Sequence, residues 1–172
     1  MRKSRQAKFQ LLVDGCSTDL YRYAAWLTGD RVLAEDLVQD TYLRAWRSLD
    51  GLKATSTSRY WLFMLLKREY GRHGNRPHGH MAQLVTDGMA AGAERYEPNA
   101  DVFMLRRALA ALPPDDCEPL ILQVIGGFSC DEIARMLGVS VSAVTTRVAR
   151  ARRQLRGVLS DARHAGSNTA RA

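Results

Sequence analysis

The side chains best equipped for chemistry in this chain are arginines. Six of them fall between Ser140 and Arg163, opposed by one acid, Asp161, whereas Asp101 to Val139 carries three arginines against six acids. A guanidinium presents a rigid fork of donors that clamps a phosphate or pairs with the O6/N7 edge of guanine. Charge segregated in this way points to a polyanionic partner, and the formal net charge of +7 over 172 residues agrees. Enzyme chemistry has weaker support. Asp36 and Asp40 stand four apart on one helical pattern but bring no third ligand, and no nucleophile is paired with a base. In RHGNRPHGH, His73, His78 and His80 surround flexible glycines without a nearby cysteine or carboxylate. A solvated loop is the expectation there, with no metal and no cofactor.

Two short helical patterns position the arginines. Ser129-x-x-Glu132 is a capping box, in which the serine oxygen accepts an amide proton and the glutamate reaches back. The helix it starts buries Ile133, Met136 and Leu137 and stops at Gly138, a residue suited to a left-handed C-terminal position. Ser140 caps the next helix. There Val141, Val144, Val148, Ala151, Leu155 and Val158 form one apolar stripe. Ser142, Thr146, Arg150 and Arg153 fall opposite it, flanked by Arg147, Arg152 and Arg156. Helix, glycine turn, then a helix with small polar residues first and arginines after is the helix-turn-helix pattern. The bland alternative is a solvated basic helix resting on its valines.

The N-terminal half carries a different surface. In AEDLVQDTYLRAWRSL (Ala34–Leu49), Leu37, Val38, Thr41, Tyr42, Ala45, Trp46 and Leu49 cover the side expected to be buried. The other face gathers Asp36, Gln39, Asp40 and Arg47 around Leu43. An apolar anchor inside a polar rim suits a partner helix, although a lone exposed leucine is ordinary. A later helix begins near Arg59 with Tyr60, Trp61, Leu62 and Phe63, then becomes basic and aromatic through Lys67, Arg68, Tyr70, Arg72 and His73. Ending in the flexible glycines Gly71 and Gly74, this mixture suits single-stranded nucleic acid, where bases stack on rings and phosphates meet cations.

Stepping along the chain, helical spacing dominates and no strand-like alternation is sustained. At 46% hydrophobic and 25% charged the composition is globular. The expected fold is all-α, with two small helical domains joined by a flexible linker: 1–75, a linker at 76–100 rich in Gly and Ala with prolines near both ends, 101–160, and a frayed tail at 161–172. Gly29-Asp30 punctuates the first block, Asp30 as a helix cap, and Lys53–Ser58 can cap the helix after it. Cys16, Cys117 and Cys130 share no CxxC spacing and read as reduced thiols of a cytoplasmic protein. MRKSRQAK is not followed by an apolar segment, and YWLFMLL (Tyr60–Leu66) is too short to span a bilayer, so membrane insertion is not expected.

Leu20–Leu49 followed by Trp61-Leu62 resembles the first conserved domain of bacterial sigma factors of the extracytoplasmic-function class (group IV). ALAALPPDDCEPLILQVIGGF followed by FSCDEIARMLGVSVSAVTTRVARARRQL looks like the second. The resemblance covers both blocks in the right order. It implies a non-catalytic promoter-specificity subunit of RNA polymerase, partnered by core polymerase (the largest-subunit clamp helices and the flap), promoter DNA and an anti-sigma protein. Asp36, Gln39 and Asp40, with Leu43 and Arg47, match the face that docks on the clamp helices. Lys67, Arg68, Tyr70, Arg72, His73 and Asn75 lie in the part that melts the minus-ten element and captures a flipped base, which offsets part of the cost of strand opening. Thr145, Thr146, Ala149 and Arg150 fall on positions that contact the minus-thirty-five duplex, with Ser142, Arg147 and Arg153 beside them.

Two departures stand out. Arg68 occupies a position where the family often has asparagine, and Ser142-Ala143-Val144-Thr145-Thr146 replaces the common Gly-Thr-Val-Lys-Ser. The lost lysine removes a cation near DNA, which leaves the minus-thirty-five sequence open but keeps the docking mode. The competing readings are a conventional helix-turn-helix regulator that binds paired half-sites without polymerase, and a recombinase-like enzyme with a DNA-binding tail.

Overall fold

A computed structural model of the chain describes residues 2–49, 55–72 and 100–169, and every regular element among them is a helix. Two compact units are formed: Met1–Gly79 with Val124–Phe128, and His80–Gln123 with Ser129–Ala172. The first unit holds α1 (Arg2–Thr28), α2 (Arg31–Ser48) and α3 (Thr55–Arg72). The chain leaves α1 through Gly29, whose φ of 64° places it in the left-handed region, where a Cβ would be strained. Asp30 then caps α2, its Oδ1 accepting from the Leu33 amide at 2.9 Å. This turn folds α2 back along α1, and α3 packs against both. Leu20, Tyr23, Ala24 and Leu27 of α1, Ala34, Leu37 and Ala45 of α2, and Leu62, Phe63 and Leu66 of α3 make the core. Tyr23 stacks on Phe63 with ring centroids 5.5 Å apart.

The second unit consists of α4 (Ala100–Ala110), α5 (Pro114–Val124, less its last residue), α6 (Cys130–Leu137) and α7 (Val141–Thr169). Pro114 opens α5 at its first turn, where the missing amide is not needed. Ser129 and Glu132 form the expected capping box: the Ser129 amide donates to Glu132 Oε2 at 2.9 Å and the Glu132 amide to Ser129 Oγ at 3.3 Å. Gly138, at φ 67° and ψ 33°, ends α6 in the left-handed conformation. Ser140 Oγ then accepts from the Ala143 amide at 3.1 Å and starts α7. Ile133, Ala134 and Met136 of α6 and Val144, Val148 and Ala151 of α7 are buried together with Leu120, Ile121 and Leu122 of α5.

The all-α architecture and the helix-turn-helix are as the periodicity implied. Four details differ. Val141 and Val158, at the two ends of the expected apolar stripe, are 41% and 39% exposed, so only the middle of the stripe is core. Leu137 is only half-buried, and so are Val38 and Tyr42 on α2. Trp46, expected inside, is 38% exposed and instead underlies the N-terminal part of α1. The Phe9 ring meets it edge-on at 5.2 Å and the Arg5 guanidinium lies 4.9 Å above it. Finally, α7 continues to Thr169, through most of the segment expected to fray. The cap expected at Lys53–Ser58 lies partly outside the described residues, and the linker at 76–100 almost wholly so.

Candidate functional site

The outer face of α2 has the composition of an interface and few internal uses for it. Its buried ridge is Ala34, Leu37, Thr41 and Ala45. Thr41 fits in that ridge because its hydroxyl donates to the Leu37 carbonyl at 2.7 Å. On the opposite face, Asp36, Gln39, Asp40, Leu43 and Arg47 are all exposed, Leu43 at 57%. Asp36, Gln39 and Arg47 have no side-chain partner among the described residues, whereas Asp40 has one. Three of the five side chains are therefore unspent donors and acceptors around an apolar anchor.

The C-terminal half of α3 is more committed. Arg68 is exposed and without a partner among the described residues. Lys67 and Tyr70 are half-buried and engaged within the fold. Arg72 lies 3.6 Å from Oε1 of Glu69, a buried carboxylate that Arg44 of α2 also approaches, with Nε at 3.0 Å. This cluster joins α2 to α3, and composition did not reveal it. A glutamate three residues before an arginine looks like a surface pair until its burial is known. His73 and Asn75, together with His78 and His80, lie outside the described residues.

On α7, Ser142, Thr145, Thr146, Ala149, Arg150, Arg152, Arg153 and Arg156 are exposed and Arg147 is half-buried. Short side chains occupy the first two turns, where a helix end can approach a groove floor closely. Thr145 returns its hydroxyl to the Val141 carbonyl at 2.9 Å. The arginines divide into two groups. Arg147, Arg153 and Arg156 have no partner among the described residues. Arg150 and Arg152 are tied back to α5: Arg150 NH1 donates to Asp116 Oδ1 and Oδ2 at 3.2 and 3.3 Å, and Arg152 NH2 to Gln123 Oε1 at 2.8 Å. Asp116 and Gln123 played no part in the sequence argument. A signal for Asp116 was available: it sits four residues before Leu120 and five before Ile121, on the apolar side of α5, where an acid requires a cation.

No described helix is long and apolar enough to cross a membrane. All three cysteines are free, Cys16 and Cys117 buried and Cys130 half-buried. Burial pushes the Cys16 thiol above its usual range, against the opposing pull of the Arg59 guanidinium. That guanidinium is itself held by Asp19 at 2.7 Å. A thiol so shielded is held protonated at neutral pH, which argues for packing rather than reactivity.

Two helical units, one with an unspent polar face and one with a basic helix-turn-helix, are the arrangement of a two-domain RNA polymerase sigma factor. Residues 12–76 match the family described as Sigma-70 region 2, and residues 103–155 match Sigma-70, region 4. The chain is 32% identical over 144 residues to the ECF RNA polymerase sigma factor EcfG of Rhodopseudomonas palustris, covering 81% of this chain and 78% of that one. It is 31% identical over 160 residues to the ECF RNA polymerase sigma factor SigL of Mycobacterium tuberculosis, covering 90% of each. Among solved structures it is similar to the sigma factor RpoE of Bartonella quintana, seen in complex with the anti-sigma factor NepR, at a TM-score of 0.66 and 28% identity over 92% of this chain and 98% of that one. A second likeness is to CnrH in complex with the cytosolic domain of CnrY, at a TM-score of 0.64 and 27% identity, covering 91% of this chain and 90% of that one. The chain belongs to the extracytoplasmic-function (ECF) family of RNA polymerase sigma factors. It is accordingly an alternative sigma factor, which binds core polymerase and directs it to promoters, and not a helix-turn-helix regulator that acts alone.

Proposed function

We propose that the two units divide the work of promoter recognition by named residues. Asp36, Gln39, Asp40, Leu43 and Arg47 dock on the clamp helices of the largest polymerase subunit. Lys67, Arg68, Tyr70 and Arg72, continuing to His73 and Asn75, engage the opened minus-ten element. Ser142, Thr145, Thr146, Arg147, Ala149, Arg150 and Arg153 face the minus-thirty-five duplex. In this reading 1–75 and 101–160 are the working domains and 76–100 the linker. Twenty-five residues reach roughly 80 Å when extended, enough to serve two DNA elements about two helical turns apart. The protein acts in the cytoplasm, has no catalytic site of its own, and is held in check by an anti-sigma protein, as the RpoE and CnrH complexes suggest.

The observation that carries the assignment is the α2 face: an apolar residue 57% exposed, ringed by polar side chains of which three have no internal partner. Transcription in vitro with core polymerase and a pool of promoter fragments tests it. Promoter-specific transcripts that require both proteins are expected. Selective retention of duplex DNA by the chain alone, with no gain on adding core polymerase, would refute the division of labour.

A further inference from the structure

Asp116 is an acid in the wrong place for solvation. Its side chain is 3% exposed on the face of α5 that also buries Cys117, Leu120 and Ile121. Its only side-chain partner among the described residues is Arg150, whose NH1 bridges both carboxylate oxygens at 3.2 and 3.3 Å. Arg150 in turn is 55% exposed, and its Nε and NH2 have no partner among the described residues. One end of the guanidinium is thus gripped from below. The other edge of this largely exposed side chain, which carries the parallel donors needed for a bidentate contact, is left without a partner among the described residues.

Resting on the reading of α7 as the minus-thirty-five helix, we propose that Asp116 is a positioning residue for Arg150 and so a determinant of base preference, although it touches no DNA. A free arginine samples many rotamers and must be ordered when it meets a base. Arg150 is ordered when the domain folds, because a buried carboxylate needs its cation. The Nε–NH2 edge is then presented in one orientation, as a recognition group held by a second layer of contacts should be. Arg147, Arg153 and Arg156 lack such a hold and adapt to phosphates.

The test is transcription by the full chain with core polymerase on promoters varied base by base in the minus-thirty-five element, with thermal melting of each protein alongside. Arg150→Ala and Arg150→Lys are both expected to relax preference at one base position by about tenfold. Lysine keeps the charge beside Asp116 but lacks the fork. Asp116→Asn is expected to relax preference at that same position, and to add nothing in the double variant with Arg150→Ala. If Asp116→Asn does not stay folded, Asp116→Glu carries the test, since it keeps the charge but displaces the guanidinium. The proposal is overturned if Arg150→Lys retains the wild-type base preference, because the pair is then only a strut between α5 and α7. It is equally overturned if the Asp116 variants change all promoters by one common factor or change none. Failure of the underlying reading looks different: Arg147→Ala and Arg153→Ala would then also leave transcription unchanged.

Discussion

The outer faces of α2 and α7 are both polar, both helical and both exposed, yet they are built in opposite ways. On α2, Asp36, Gln39 and Arg47 reach into solvent with nothing behind them among the described residues. On α7, Arg150 and Arg152 are anchored to α5 before any partner arrives. Unanchored side chains lose their freedom on binding, at about 0.5–1.5 kcal/mol for each long side chain immobilised. Anchored ones have lost it on folding. A face that must accept one protein surface tolerates the first arrangement, because shape and an apolar anchor define the fit. A face that must tell one base pair from another gains from the second, because a bidentate contact depends on angle.

The comparison breaks most visibly at α2. Asp36→Lys with Asp40→Lys places two cations where two acids stood, and like-charge contact across an interface is severe. We expect core-polymerase affinity to fall by about a hundredfold or more. Trp26, Trp46 and Trp61 all lie in the first unit, so tryptophan fluorescence reports whether that unit is still folded. Because Asp40 has an internal partner, Asp36→Lys alone is the cleaner arm. Wild-type affinity in the folded double variant would remove α2 from the docking surface.

The unanchored arginines of α7 sharpen it from the other side. Arg147→Ala, Arg153→Ala and Arg156→Ala should each weaken binding to all minus-thirty-five variants alike. Each should also reduce the slope of log affinity against log salt by about 1. Titrations at several salt concentrations decide this. Relaxed preference at a single base in any of the three would mean that an unanchored arginine reads sequence, and the contrast with Arg150 would collapse.

A smaller effect is expected at the cap that sets where α6 begins. Ser129→Ala removes one half of the capping box and should cost the second unit about 1 kcal/mol. That corresponds to a lowering of its melting temperature by roughly 4–8 °C. The fluorescence transition of the first unit should not move, which calorimetry and tryptophan emission together would show.

What the sequence revealed, and what it hid, follows the same division. Caps, turns and the middle of the stripe are local, and they were legible: Asp30, Ser129-x-x-Glu132, Gly138, and Val144 and Val148 of α7 sit as their spacing implies. Exposure of Leu43 and of the arginines was legible too, because helical periodicity separates faces. Commitment was not. Whether Arg150 is free or held depends on a residue 34 positions away, and Arg44 meets Glu69 across two helices. Pairing of this kind is set by how helices pack, which periodicity within one helix does not encode. The ends of the α7 stripe failed for a related reason. Val141 and Val158 have the right spacing, but the helix outruns the elements that cover its middle.

The smallest expected effect at neutral pH lies beneath the α2 face. Tyr42 Oη is buried with no hydrogen-bond partner, and burial, reinforced by the Cys16 thiol, pushes its pKa up to about 12. At neutral pH the phenol is protonated whether the chain is folded or not, so Tyr42→Phe should change stability by no more than about 1 kcal/mol, in the stabilising direction because the buried hydroxyl is unmet. Above pH 10 the unfolded chain releases the phenolic proton while the folded chain retains it. Stability contributed by the neutral phenol is therefore present below pH 10 and is lost as pH rises toward 12, by up to roughly 2 kcal/mol. Cys16, also raised, adds a loss of the same sign above its ordinary range near 9, but it is common to both proteins. Urea midpoints followed by tryptophan emission from pH 7 to 11 should thus fall more steeply for the wild type than for Tyr42→Phe. Parallel curves would mean that the phenol ionises as readily folded as unfolded. The buried side of α2 would then be wetter than its packing against Phe9 implies, and its polar outer face would be less sharply set apart from the core.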